Sequence, residues 1–374
     1  MSLSPVMARA RCLVGWVATV LLLSGCGNLG YYWQSAAGHL KVMSAARPVD
    51  DWLTDTQTPE QLKARLALSQ RIRSFAVSEL KLPDNASYHR YADLQRSAVV
   101  WNVVAAPGYS LELKQWCFSI VGCVTYRGYF DEGQARAEAA DLAGQGLESS
   151  VYPVPAYSTL GWMNWAGGDP LLNTFIHYPE GELARLVFHE LSHQVAYARD
   201  DTMFNESFAT AVERLGGARW LGTHGSEAAR LEYMQFNERR QRFRALARQT
   251  RKRLEQIYLQ TSDGQREVQK QQALREFRES YARLRDGWGA GASRYRGYDL
   301  WVERANNASF AAQAAYDELV PAFEGLFERQ GRDWQRFYDE VKRLAAMPRS
   351  ERRAFLGLQT EPGRVPAADS KRAN

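Results

Sequence analysis

Apolar positions in the first part of the chain recur at helix-like spacings, at Leu62, Leu66, Leu68, Ile72, Phe75 and Leu80. The pattern predicts helix from Tyr31 to Leu82, with the Pro83-Asp84-Asn85 cluster as its stop. The period then changes. Residues 97–104 (SAVVWNVV), 116–130 (WCFSIVGCVTYRGYF) and 150–159 (SVYPVPAYST) are rich in Val, Ile, Tyr, Phe and Thr, with Gly, Pro or a helical piece at 131–145 between them. That alternation predicts a small sheet with one crossover helix. From Gly181 onward nearly everything reads as helix, over 181–198, 205–216, about 226–260, 265–286, 299–329 and 332–346. The tail from Pro362 is polar and is expected to be disordered.

The stretch from Ser226 to Asp286 stands apart, crowded with Arg, Gln and Glu and interrupted by Thr261-Ser262-Asp263-Gly264. Two antiparallel helices fit it. Phe243, Leu246, Leu254 and Ile257 on one arm and Val268, Leu274, Phe277, Tyr281 and Leu284 on the other can form the seam, with charges facing water. Its basic excess could meet a protein partner or anionic headgroups, although a solvated face is the commoner meaning of such a run.

The N-terminus changes the picture of what folds. Arg9 and Arg11 precede an apolar run from Leu13 to Leu23, which has the charge order and length of a signal peptide and is too short to span a bilayer. Leu23-Ser24-Gly25-Cys26 resembles the lipobox of bacterial lipoprotein precursors, which implies cleavage after residue 25 and a lipid on Cys26. Gly27, rather than Asp, favours by resemblance the outer over the inner membrane, with the protein facing the periplasm. Loss of Arg9 and Arg11 takes the net charge from +5 to +3, too small a balance to predict nucleic-acid binding. Cys12 leaves with the peptide, so Cys117 and Cys123 remain to pair as a disulfide in an oxidising compartment.

Candidate chemistry is concentrated in Phe188-His189-Glu190-Leu191-Ser192-His193-Gln194. Residues four apart share a helix face, so His189 and His193 can present imidazoles to one metal ion. Leu183, Leu186, Val187, Leu191 and Val195 would form the apolar face of that helix, and Pro179 suits its start. A catalytic zinc takes about three protein ligands and keeps one position open, and Glu190 beside it can take a proton from an attacking water. The expected cofactor is one Zn2+ ion.

A third ligand should lie on a following helix, where Glu206 and Glu213 share roughly one face. Phe204-Asn205-Glu206-Ser207-Phe208-Ala209-Thr210 resembles the NEGFA-type motif of gluzincin aminopeptidases, which implies Glu206 as the ligand. Glu213 is the alternative, or a carboxylate supporting the site. Twelve residues separate His193 from Glu206, a shorter gap than in those enzymes. A narrower resemblance, to the bacterial lipoproteins described as "putative aminopeptidases", covers most of the chain. It rests on Gly30-Tyr31-Tyr32, Trp116-Cys117-Phe118, Gly122-Cys123-Val124, residues 126–130 (YRGYF), residues 156–162 (AYSTLGW) and the two metal helices. The insertion from Met163 to Gly168 departs from the shorter form of that group.

Together these readings give an α+β, predominantly helical, zincin-like fold with a small sheet and a long helical hairpin. The expected divisions are a signal peptide at 1–25, a catalytic region at 26–225, the hairpin at 226–286, a helical C-terminal part of the catalytic domain at 287–361 and a tail at 362–374. Residues 155–162 are placed to wall the cleft, where a peptide substrate's backbone could pair. Tyr295, Tyr298, Tyr316, Asn306 and Asn307 are candidates for stabilising an oxyanion. His177 reads as a loop histidine, and His39, His89 and His224 show no partner pattern. The expected activity is aminopeptidase, with Glu190 as general base and then acid. The competing readings are a zinc endopeptidase of the envelope and a non-catalytic lipoprotein whose metal only joins helices.

Overall fold

The computed structural model describes residues 30–118, 122–161, 164–289 and 295–357. The expected signal peptide at 1–25, Cys26 and the tail expected from 362 lie outside the described residues.

The stretch expected as helix up to Leu82 is interrupted twice. A first helix (α1, residues 30–45) gives way to the two-residue strand β1 (Arg47–Pro48), then α2 (Val49–Thr54) and α3 (Glu60–Ser78). Pro48 and Pro59 stand at the N-caps of α2 and α3, where the missing N–H costs nothing. Next come β2 (Arg90–Ala92), β3 (Val100–Pro107), β4 (Trp116–Phe118), β5 (Gly122–Val124) and β6 (Arg127–Tyr129). They are followed by α4 (Glu132–Gly144), β7 (Leu147–Val154), a 3-10 turn at Asn164–Ala166 and β8 (Leu171–Leu172).

In place of one sheet, the described strands form three: β1-β2-β8, β6-β3-β7 and the β4-β5 pair. Both β6 and β7 run antiparallel to β3, so they are parallel to each other and α4 crosses between the two edges. Cys117 and Cys123 face each other across β4-β5 and are disulfide-bonded.

The metal-motif helices are α5 (Glu180–Ser192) and α6 (Thr202–Thr223). α5 ends earlier than the expected 198, with His193 as its C-cap, and α6 extends the expected 205–216 at both ends. Leu183, Val187, Phe188 and Leu191 are fully buried, whereas Leu186 and Val195 are partly buried. Acidic residues Glu180 and Glu182 occupy the first turn of α5, where they suit the helix dipole. Gly216 and Gly217 let α6 close on α5: a Cβ on Gly216 would meet Leu80 and Phe188, and one on Gly217 would meet the stem of Arg185.

The charged hairpin is α7 (Glu227–Gln260) and α8 (Asp263–Asp286). Its turn is tighter than expected, because Ser262 is the N-cap of α8 and Asp263 and Gly264 are already helical. Phe243, Leu254, Ile257, Leu274, Phe277 and Tyr281 are buried in its seam. Val268 is not part of it, being 66% exposed.

The expected helix over 299–329 is three helices, α9 (Arg296–Glu303), α10 (Asn307–Asp317) and α11 (Val320–Arg329). Asn306 and Ser309 form a reciprocal capping box that restarts the chain as α10, and a proline in the first turn starts α11. The chain closes with α12 (Trp334–Ala345) and α13 (Arg349–Phe355). The main core runs from Val42 to Leu356 and joins α3, α5 and α6 to α11 and α12, with the rings of Phe204, Phe208, Phe323 and Phe337 packed edge-on or tilted between them.

Candidate metal centre

Adjacent packing of α5 and α6 brings three side chains from two helices to one point. His189 Nε2 lies 3.4 Å and His193 Nε2 3.8 Å from Glu206 Oε2. The three candidate ligand atoms all fall within 4.8 Å of one another. Ligands on a tetrahedral zinc at 2.0–2.1 Å stand about 3.4 Å apart, so the donor set fits that ion in chemistry, and the two histidine–glutamate separations are close to that spacing. The two imidazole rings are nearly perpendicular, at 83° with centroids 5.0 Å apart.

Glu213 stands on the far side of His189. Its Oε2 accepts from His189 Nδ1 at 3.0 Å, while Oε1 accepts from Arg185. It therefore orients the ring that offers Nε2 to the centre, and its own oxygens point elsewhere. Arg185 also lies 3.7 Å from Glu182, which forms an ion pair with Arg240 of α7 at 2.5 Å. A ladder of alternating charge thus runs from the hairpin to a candidate ligand. His193 has no such support: its buried Nδ1 has no partner among the described residues, so packing alone sets its ring.

The electrostatics separate these groups. Burial lowers His193 to about 4, partly opposed by Glu206, so it is neutral. Burial would raise both carboxylates, but His193 and His189 take Glu206 below its ordinary value. Arg185, with help from His189, takes Glu213 down to about 2. Burial would lower His189, yet hydrogen bonds to Glu206 and Glu213 lift it well above normal. Glu190 differs from the other carboxylates. Burial, against the pull of His189 and with Glu206 and Asp169 nearby, raises it to about 7.

The centre opens into a cleft of about 340 Å³, walled by β7 and the residues after it, by α5, by Arg240 and Arg244 of α7 and by Tyr316 of α10. The strand wall lies earlier than the expected 155–162. It is formed by residues 152–156, and the chain beyond Val154 is no longer strand. Among the described residues β7 pairs with β3 alone. Val154 gives its carbonyl to Val99 N, so Pro153 and Pro155 face the free edge, where proline offers no N–H. Pro155 O is taken by Thr174. Within the cleft-lining residues 152–156, pairing of a substrate backbone at this edge is thereby reduced to the carbonyl of Pro153.

Of the five oxyanion candidates, Tyr316 lines the cleft, together with Tyr152. Tyr295 and Tyr298 belong to the hairpin's aromatic cluster. Asn306 caps α10, and Asn307 donates to the carbonyls of Pro107 and Gly108. His39 bonds to Tyr157, His89 to Gln70 and His224 to Thr223, and His177 is exposed outside the cluster. Sequence reasoning missed Glu182 and Arg185, although they precede His189 by seven and four residues and so share its face. It also missed Arg240 and Tyr152, which come from distant segments and carry no local signal.

An α+β, predominantly helical chain with a histidine–histidine–glutamate centre at the head of a cleft is the class that fold and site define. The chain belongs to the family described as "Putative aminopeptidase", whose model matches residues 30–356. No curated protein and no solved structure gives a significant match.

Proposed function

We propose that the protein is a zinc-dependent peptidase of gluzincin type on a zincin-like fold, and that it removes residues from peptide N-termini. The observation that carries this reading is the convergence of His189, His193 and Glu206, with Glu190 beside them taking no ligand position. A zinc that only joined helices would have no need of that carboxylate and would usually be closed by Cys or His.

When bound, zinc supplies a Lewis acid that polarises the scissile carbonyl and acidifies a neighbouring water. His189, His193 and Glu206 would hold it, and the hydrogen bond from His189 Nδ1 to Glu213 leaves Nε2 as the nitrogen that would serve as ligand. Glu190 takes the proton from the attacking water at its carboxylate and hands it to the departing amine. A carboxylate beside the three candidate ligands that takes no ligand position itself suits both transfers. The Tyr316 phenol, which lines the same cleft, is our candidate donor to the oxygen that gains charge.

A second reading, cleavage within chains, is favoured by one observation. The cleft carboxylates Glu182 and Glu213, which could hold a substrate's free amine, are already engaged by Arg185 and Arg240. Digestion of a peptide library separates the two readings. Ladders that begin at free N-termini and stop when these are acetylated support the aminopeptidase, whereas internal cuts indifferent to acetylation support the endopeptidase. No cleavage by zinc-loaded protein overturns both.

The N-terminal sequence supports export and lipid attachment at Cys26, placing the chain on the periplasmic side of a bacterial membrane, with the outer membrane favoured. The hairpin is a candidate seat for a protein partner.

A further inference from the structure

We infer that the outward face of α1 is a membrane-interface surface that lays the protein against the bilayer next to its anchor. The inference takes its occupant from the proposed lipid on Cys26, but the surface itself comes from the structure.

Residues 30–46 contain a single charged side chain, Lys41, in a chain that is 24% charged. The inner face of α1 is fully used. Tyr31 stacks on Phe118 at 5.2 Å, Gln34 exchanges hydrogen bonds with Gly128 and Phe130, Gly38 admits the Phe130 ring, His39 bonds to Tyr157 at 2.6 Å, and Val42 and Met43 are buried. The opposite face is apolar as well, yet open: Trp33 is 75%, Leu40 62% and Tyr32 44% exposed, with Ala36 and Ala37 exposed between them. A docked helix with a second apolar face has a surface that water does not favour.

Geometry selects the bilayer as what covers it. Four residue steps separate Cys26 from Gly30, so an extended chain places the helix start within about 14 Å of a lipidated cysteine. That is on the scale of the headgroup layer, where Trp and Tyr concentrate. Lys41 sits at the edge of the stripe, where a cation can reach anionic headgroups. Among the described residues no helix is long and apolar enough to cross a membrane, so this contact lies in the interface plane. Because Tyr157, the partner of His39, directly follows the cleft-lining Pro155 and Ala156, seating α1 on the membrane would also fix how the cleft faces it.

The test uses the mature chain from residue 26 carrying Cys26→Ser, which has no lipid, floated with vesicles of phosphatidylethanolamine and phosphatidylglycerol. The expected result is reversible binding that falls about tenfold in Trp33→Glu/Leu40→Glu, with unchanged circular dichroism and zinc content. Equal binding by parent and variant, or none by the parent, overturns the proposal. So does light scattering that shows a dimer dissociated by the same substitutions, which would make a second copy the occupant. Mass spectrometry of the membrane-extracted wild-type chain reads lipidation of Cys26 separately, so failure of the anchor and failure of the surface are told apart.

Discussion

The Glu213 carboxylate joins two side chains of α5, accepting from His189 Nδ1 at 3.0 Å on one oxygen and from Arg185 on the other. Glu206, two helical turns earlier on α6, instead faces the Nε2 atoms of both histidines. The two glutamates therefore have separable jobs. Glu206→Gln is expected to lose most of the zinc, because a neutral amide replaces a charged ligand. Glu213→Gln should weaken zinc binding by about 10- to 100-fold, since the orienting hydrogen bond is altered while the ligands stay in place. Competition with a fluorescent chelator measures both, and a larger loss in Glu213→Gln than in Glu206→Gln would contradict the assignment.

How far this site could be read from the chain follows from which interactions are local. His189, Glu190 and His193 are set by helical periodicity, so a short window contains their geometry. Glu206 and Glu213 share a helix face, and seven residues of spacing say nothing about which one meets the histidines. That depends on how closely α6 approaches α5, which the glycines at 216 and 217 permit. The sheet was legible as strand-rich segments but not as three separate sheets, because pairing partners such as Tyr91 and Leu171 lie far apart in sequence. Helix breaks at Asn306 and Pro321 were visible as residues, yet apolar periodicity ran through both and outweighed them in a sequence reading.

Glu190→Gln isolates proton transfer from metal binding. The amide has nearly the same volume and cannot accept the water's proton, so kcat is expected to fall by about 10²- to 10⁴-fold. Zinc stoichiometry should stay at the wild-type value. Peptide turnover alongside metal analysis on one preparation checks this, and loss of both together would mean that Glu190 supports the fold or binds the ion.

Tyr316→Phe removes one hydroxyl from the cleft and leaves the ring to pack. If the phenol donates to the developing oxyanion, kcat should drop by about 10²- to 10³-fold with KM little changed. A purely structural tyrosine would instead lower thermal stability and leave kcat near wild type. Kinetics and melting curves on the same variant distinguish these outcomes.

The last prediction concerns the loop that carries the chain from His193 to Glu206. Asp201 caps α6 by accepting from Phe204 N at 3.3 Å, and its fully buried carboxylate pairs with Arg352 at 3.1 Å and Arg353 at 3.2 Å. Asn205, the next residue but three, ties the same loop down through both backbone groups of Ala198. The C-terminal helix α13 is thus fastened to the start of the helix that presents Glu206. Asp201→Ala removes the cap, worth about 1 kcal/mol. It also leaves the buried Arg352 without its counter-charge, and breaking a buried pair costs about 3–5 kcal/mol. Asp201→Asn should fall between wild type and Asp201→Ala, because the amide oxygen can still cap while the ion pair is lost. Adding Arg352→Met to Asp201→Asn should recover part of the loss, since the unpaired charge goes too. Urea unfolding of the four proteins measures the order. An Asp201→Ala variant within about 0.5 kcal/mol of wild type, the range of ordinary surface changes, would show that α13 does not brace the metal-bearing loop.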